Sequence, residues 1–150
     1  MNKKKAYQIL WVDDDVFEIE YLLYPLEKDG YKIEKFAHLP EAYNALVRNR
    51  SFDLIVLDLL MPLTDRFGDI PEWLKNEHSN GANGIKLLIE IREKLNIQIP
   101  VLILSVVPDA IDEMNIGNKY DPLDFIHKST HQIEDTISKI REILEQRAVE

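Results

Sequence analysis

Short apolar runs and amphipathic stretches alternate along the chain. Ile9-Leu10-Trp11-Val12, Leu54-Ile55-Val56-Leu57 and Val101-Leu102-Ile103-Leu104 are uninterrupted and rich in branched residues, and Phe125-Ile126 is a shorter counterpart. Such runs between helical patterns read as strands buried on both faces of a parallel sheet. The first strand is predicted at Tyr7 to Val12. A helix follows from about Val16 to Asp29, with Ile19, Leu22, Leu23 and Leu26 on one face and Gly30 as its stop. Pro25 inside it predicts a kink or an unpaired carbonyl. Tyr31 to Phe36 alternates as a second strand, and Pro40 suits the first position of a helix running to about Arg50. Phe52 to Asp58 is the third strand, Gly84 to Leu95 the third helix and Ile99 to Ser105 the fourth strand. Pro108 opens a short helix that Gly117 ends, and Asp124 to His127 is the fifth strand. Ile133, Ile137, Ile140 and Leu144 then recur at helical spacing in a final helix. Five strands alternating with five helices predict an α/β fold, a doubly wound parallel sheet with helices on both faces.

One stretch breaks the rhythm. Strand-to-helix loops in such sheets usually have about 2–6 residues. Here Leu63 to Asn83 separate the third strand from its helix, so this segment is read as an insertion. Pro71-Glu72-Trp73-Leu74-Lys75 suits a short helical turn, and Asn80-Gly81 and Asn83-Gly84 supply turns for the return. Phe67, Ile70, Trp73 and Leu74 give the segment enough apolar surface to fold back beside the carboxyl ends of the strands. Trp73 is either an exposed anchor for a partner or a pin holding the loop to the body.

Composition narrows the function classes. The 150 residues fit one domain, with a core at about 6–145, and no apolar stretch approaches the length of a membrane span. The basic start, Met1 to Lys5, runs straight into a strand pattern without the apolar region of a signal peptide. Zero cysteines exclude disulfides and thiolate metal sites and suit a cytoplasmic location. A formal net charge of −9 argues against nucleic-acid binding by this domain, because neutralising phosphates requires a basic face.

The chemistry-bearing residues stand where the strands end. Asp13-Asp14-Asp15 follows the first strand, Asp58 the third, Ser105 the fourth and Lys128 the fifth. In an open parallel sheet the carboxyl ends of the strands form the binding crevice. Carboxylates, a hydroxyl and an ammonium far apart in sequence therefore converge on one polar site suited to phosphoryl transfer. Clustered carboxylates repel, and a divalent cation removes that cost. An all-oxygen set without cysteine favours Mg²⁺. His127 and His131 straddle a strand-to-helix junction rather than sharing a helix face, so they make a poor metal pair. No Gly-rich phosphate loop of the Walker or Rossmann kind occurs.

Taken in order, Val12-Asp13-Asp14-Asp15, Leu57-Asp58-Leu59-Leu60-Met61-Pro62, Leu104-Ser105 and Phe125-Ile126-His127-Lys128 resemble the receiver domain of two-component response regulators. The likeness spans roughly residues 6 to 145. It implies a flavodoxin-like sheet of order 2-1-3-4-5 and a phosphoacceptor, Asp58, that takes a phosphoryl group from a histidine kinase or phosphotransfer protein. It also implies Mg²⁺ held directly by Asp14 and Asp58, by Asp13 through water and by the backbone carbonyl of Leu60. Asp15 then lies past the site, at the cap of the first helix. Lys128 pairs with a phosphoryl oxygen, and Ser105 donates its hydroxyl to another only when phosphate is present. Phe125 matches the aromatic that turns inward when that hydroxyl moves, although it also fits a plain core position. Protein contacts change with the switch, and aspartyl phosphorylation and dephosphorylation are self-catalysed, without turnover of an external substrate.

Two positions depart from the receiver pattern. Ser129 follows the lysine where proline with a cis peptide is usual, and a cis bond to serine would cost about 2.5–4 kcal/mol. Val106 follows Ser105 where alanine or glycine is usual, and its branched side chain narrows access to Asp58. Two other readings stay open. One is a receiver-like interaction module with little or no phosphorylation. The other is a phosphatase of the haloacid-dehalogenase kind, suggested by Asp13-x-Asp15, which leaves Asp58 without a role and puts Glu134 and Asp135 in a helix rather than at a strand end.

Overall fold

A computed structural model of the chain describes residues 6–14, 20–61, 71–74, 83–105, 120, 122–127 and 133–149. The apolar runs become the strands β1 (Gln8–Val12), β2 (Lys32–Phe36), β3 (Leu54–Leu57), β4 (Val101–Ser105) and β5 (Leu123–His127). All neighbours pair in parallel, in the order β2-β1-β3-β4-β5. The described helices are α1 (Glu20–Lys28), α2 (Leu39–Arg48), α3 (Gly84–Ile89, continued by a π turn over Glu90–Lys94) and α4 (Ile133–Val149). This is the flavodoxin-like doubly wound sheet that the receiver resemblance implies. The short helix expected after Pro108, the cap at Asp15 and the positions of Val106, Ser129 and His131 lie outside the described residues.

The uninterrupted apolar runs are explained by two cores, one on each face of the sheet. Leu10, Val12, Ile55, Leu57, Val101 and Ile103 point to one face, where they meet Leu39, Ala42 and Leu46 of α2 and Ile85, Leu88 and Ile91 of α3. Ile9, Trp11, Leu54, Val56, Leu102 and Leu104 point to the other, against Leu23 and Leu26 of α1 and Ile137, Ile140 and Leu144 of α4. Successive strand residues face opposite sides, so covering both faces requires every residue to be apolar. Each such side chain contributes about 1.5–3 kcal/mol on burial. The edge strand β2, with Lys32 and Glu34 exposed, alternates instead. Inside α1, Pro25 has no N–H to give the Tyr21 carbonyl, and Tyr21 lies on the exposed side, where water can replace that bond.

Two local features differ from the sequence pattern. α2 begins at Leu39, so Pro40 is its second residue rather than its first, and it ends at Arg48 with Asn49 as its extended cap. The helix predicted over Gly84 to Leu95 widens into a π turn at Glu90, with the Leu95 N–H donating to the Glu90 carbonyl at 3.0 Å. The wider turn carries both Ile91 and Arg92 inward, where they are 0% and 6% exposed. Arg92 donates to the carbonyls of Tyr120 (2.9 Å), Ile97 (2.8 Å), Ile99 (2.7 Å) and Pro122 (2.7 Å). It thereby ties the end of α3 to the segments that enter β4 and β5. The sequence offers no sign of this role, since a lysine or arginine on a helix ordinarily reads as solvated. Arg92→Met is expected to take a donor from each of these carbonyls and to lower stability by about 2 kcal/mol, measured by denaturant unfolding.

Candidate functional site

β1 and β3 are neighbours at the centre of the sheet, with Val12 opposite Leu57. That register brings the residues just past both strands together at the carboxyl edge. The Asp58 N–H donates to the Val12 carbonyl at 2.9 Å, and the Asp13 N–H donates to the Phe36 carbonyl of β2 at 3.0 Å. The turn after β1 and the turn after β3 are thus both anchored to the strand ends. Carboxylate oxygens of Asp13, Asp14 and Asp58 lie within 4.8 Å of one another. Asp13 and Asp58 are buried, 1% and 5% exposed, and Asp14 opens to solvent. Asp58 Oδ1 accepts the Leu60 N–H at 3.1 Å, which fixes the rotation of its carboxylate.

The three acids offer only hard oxygen donors, and two are buried beside like charge. Their arrangement fits a small divalent cation held partly by protein and partly by water. Such a cation would neutralise the repulsion that packing has built in.

The backbone after Asp58 is shaped from outside the motif. The Met61 N–H donates to the Leu59 carbonyl at 3.0 Å, and the Gly84 N–H donates to the same carbonyl at 2.9 Å. Asn83 Nδ2 donates to the Met61 carbonyl at 2.6 Å. At Gly84 an added Cβ would lie 2.3 Å from the Asp58 carbonyl oxygen and 2.9 Å from the Leu59 Cα. Only glycine lets α3 start this close to the loop that carries Asp58. The Asn83-Gly84 pair was legible as a turn; its contact with the Asp58 loop was not.

The remaining expected site residues are placed unequally. Ser105 is the last residue of β4, beside β3, and its side chain lies outside the described residues. Phe125 is half-buried on β5 opposite Ile103 and packs against the core on the α2–α3 face. Lys128 lies outside the described residues, directly after β5. Within the insertion, Glu72–Leu74 form a 3₁₀ turn closed by the Leu74 N–H on the Pro71 carbonyl, as the sequence suggests. Of the two roles open to Trp73, the structure supports the pin: it is half-buried, and its ring lies 5.1 Å from that of Tyr43 on α2.

No protein-family model matches the chain. Among curated proteins it is 30% identical over 141 residues to the transcriptional regulatory protein CpxR homolog of Haemophilus influenzae, covering 94% of this chain and 52% of that protein. It is 29% identical over 113 residues to the transcriptional regulatory protein PmrA of Pectobacterium parmentieri, covering 73% of this chain and 42% of that protein. The chain thus spans about half the length of the curated relatives it matches. Among solved structures it resembles the receiver domain of the Francisella response regulator 1452, with a TM-score of 0.67, 23% identity and coverage of 94% of this chain and 98% of that one. It also resembles a CheY-like receiver domain protein from Methanospirillum hungatei, with a TM-score of 0.69, 22% identity and coverage of 96% and 98%. The regulator TrrA of Thermotoga maritima, solved in complex with Mg²⁺ and BeF, superposes with a TM-score of 0.65 at 20% identity over 91% of this chain and 98% of that one. The strand order and the likeness across nearly the whole chain give the protein the fold of response-regulator receiver domains, with the acidic cluster at the ends of β1 and β3.

Proposed function

We propose that this chain is the phosphoacceptor receiver of a two-component response regulator, one receiver unit over residues 1–150 with an insertion at about 63–83. The observation that carries the reading is the meeting of Asp13, Asp14 and Asp58 at the carboxyl edge of the sheet. Asp58 is the nucleophile. One of its carboxylate oxygens forms a bond to phosphorus as the P–N bond of a phosphohistidine on a histidine kinase or phosphotransfer protein breaks, and the imidazole keeps the bonding pair. Asp13, Asp14, Asp58 and the Leu60 carbonyl would hold Mg²⁺, which would supply charge neutralisation for the transferring group. Lys128 takes one phosphoryl oxygen and Ser105 another, and the movement of Ser105 toward the phosphate draws Phe125 inward. Phosphorylation so biases two conformations that differ in the surface offered to a partner protein. The names of the two curated relatives, both regulators of transcription, support an output in gene regulation. A cytoplasmic setting accords with the absence of cysteine and of any membrane-crossing helix among the described residues.

Metal binding gives the direct test. Mg²⁺ at 100 times its dissociation constant is expected to stabilise the fold by about 2.7 kcal/mol, read as a rise in melting temperature, and beryllofluoride is expected to add to it. Asp14→Ala removes an exposed ligand without disturbing the core, so it should fold and lose the response. A wild-type protein that responds to neither reagent would support the interaction-module reading.

A further inference from the structure

The base of the insertion and the phosphoacceptor loop share one set of contacts. Met61, the last described residue before the insertion, is stapled to Asn83, the last residue of the insertion, by the Asn83 Nδ2 bond to the Met61 carbonyl. In between, the 71–74 turn docks on the body in two places. Trp73 lies against Tyr43 of α2, with ring planes 31° apart, and Leu74 is buried in the α2–α3 core at 2% exposure. Lys86, in the first turn of α3, is 8% exposed and donates from Nζ to the Leu74 carbonyl at 2.8 Å. The same turn of α3 touches the Asp58 loop: the Gly84 N–H donates to the Leu59 carbonyl, while the Lys86 N–H closes the turn on the Asn83 carbonyl at 3.0 Å.

A buried ammonium is costly unless its protons find acceptors, so Lys86 holds the 71–74 turn and the start of α3 in one geometry. Moving the turn away takes the Leu74 carbonyl from Lys86, and moving α3 loosens the Asp58 loop. The geometry points to a latch: Tyr43, Trp73, Leu74 and Lys86 act as positioning residues that couple the insertion to the loop Asp58–Met61. The coupling itself is a property of the folded chain. Its effect on chemistry rests on the proposed phosphoacceptor role, because that loop carries the nucleophile and the Leu60 carbonyl.

Amide hydrogen exchange on the metal-free chain tests the coupling without assuming any chemistry. Trp73→Ala is expected to speed exchange at Leu60, Met61 and Gly84 by about tenfold while leaving Ile9, Leu10 and Leu54 in the central strands unchanged. Trp73→Phe, which keeps a ring against Tyr43, should restore most of the protection. Lys86→Met, which keeps the buried stem but not the donor, should reproduce the Trp73→Ala pattern. Unchanged exchange at Leu60, Met61 and Gly84 in both Trp73→Ala and Lys86→Met overturns the latch, as does a uniform rise that includes the central strands. Mg²⁺ affinity is then compared in the same variants. A several-fold loss in the latch variants links the coupling to the metal site. Intact coupling in a chain that binds no Mg²⁺ overturns the phosphoacceptor reading and leaves the latch standing.

Discussion

Asp58→Asn is expected to abolish the gain of one phosphoryl mass when the protein is incubated with acetyl phosphate and Mg²⁺. Asparagine has the same shape, and its side-chain oxygen can still accept the Leu60 N–H that Asp58 Oδ1 accepts. The fold is therefore retained while the charge of the proposed nucleophile is lost. Removing one of three clustered carboxylates also relieves repulsion, so the metal-free variant should melt at or above the wild-type temperature while losing most of its response to Mg²⁺. Together the two readouts separate loss of the nucleophile from loss of structure. Continued labelling of a folded Asp58→Asn protein would transfer the phosphoacceptor role to Asp13 or Asp15.

Gly84→Ala is expected to be the most damaging single-methyl change at the site. The added carbon would sit 2.3 Å from the Asp58 carbonyl oxygen, and the obstacle is backbone rather than a side chain that can swing aside. Either α3 or the Asp58 loop must retreat. Retreat of α3 strains Asn83 on Met61 and Gly84 on Leu59, and retreat of the loop moves Asp58 and the Leu60 carbonyl. We expect a loss of about 3 kcal/mol in denaturant unfolding. The acetyl phosphate labelling rate of the protein that remains folded should fall by about 100-fold, as misplacement of reacting groups by about 1 Å costs on that order. A variant with wild-type stability and labelling would mean that the approach of α3 does not shape the site.

The chain itself determined the layering and the place of the chemistry. Ile9 to Val12, Leu54 to Leu57 and Val101 to Leu104 are apolar at every position, which only a strand covered on both faces requires, and the amphipathic stretches between them supply the covers. Asp13, Asp14 and Asp58 could be located from their positions after those strands, because a parallel sheet presents all its carboxyl ends at one edge. The turn at 71–74 was also legible, since Pro71 opens it and Trp73 and Leu74 need cover. Only the tertiary structure decided what depends on distance between separate elements. The burial of Arg92 in a π turn follows from carbonyls at Ile97, Ile99, Tyr120 and Pro122 that no local pattern connects to it. The buried Lys86 reads in sequence as one more charged helix residue, and its role exists only once Leu74 is folded over it. Gly84 reads as the residue that opens a helix. Its necessity comes from the Asp58 carbonyl oxygen, 2.3 Å from where a Cβ would sit, a clash that exists only when helix and strand are packed together.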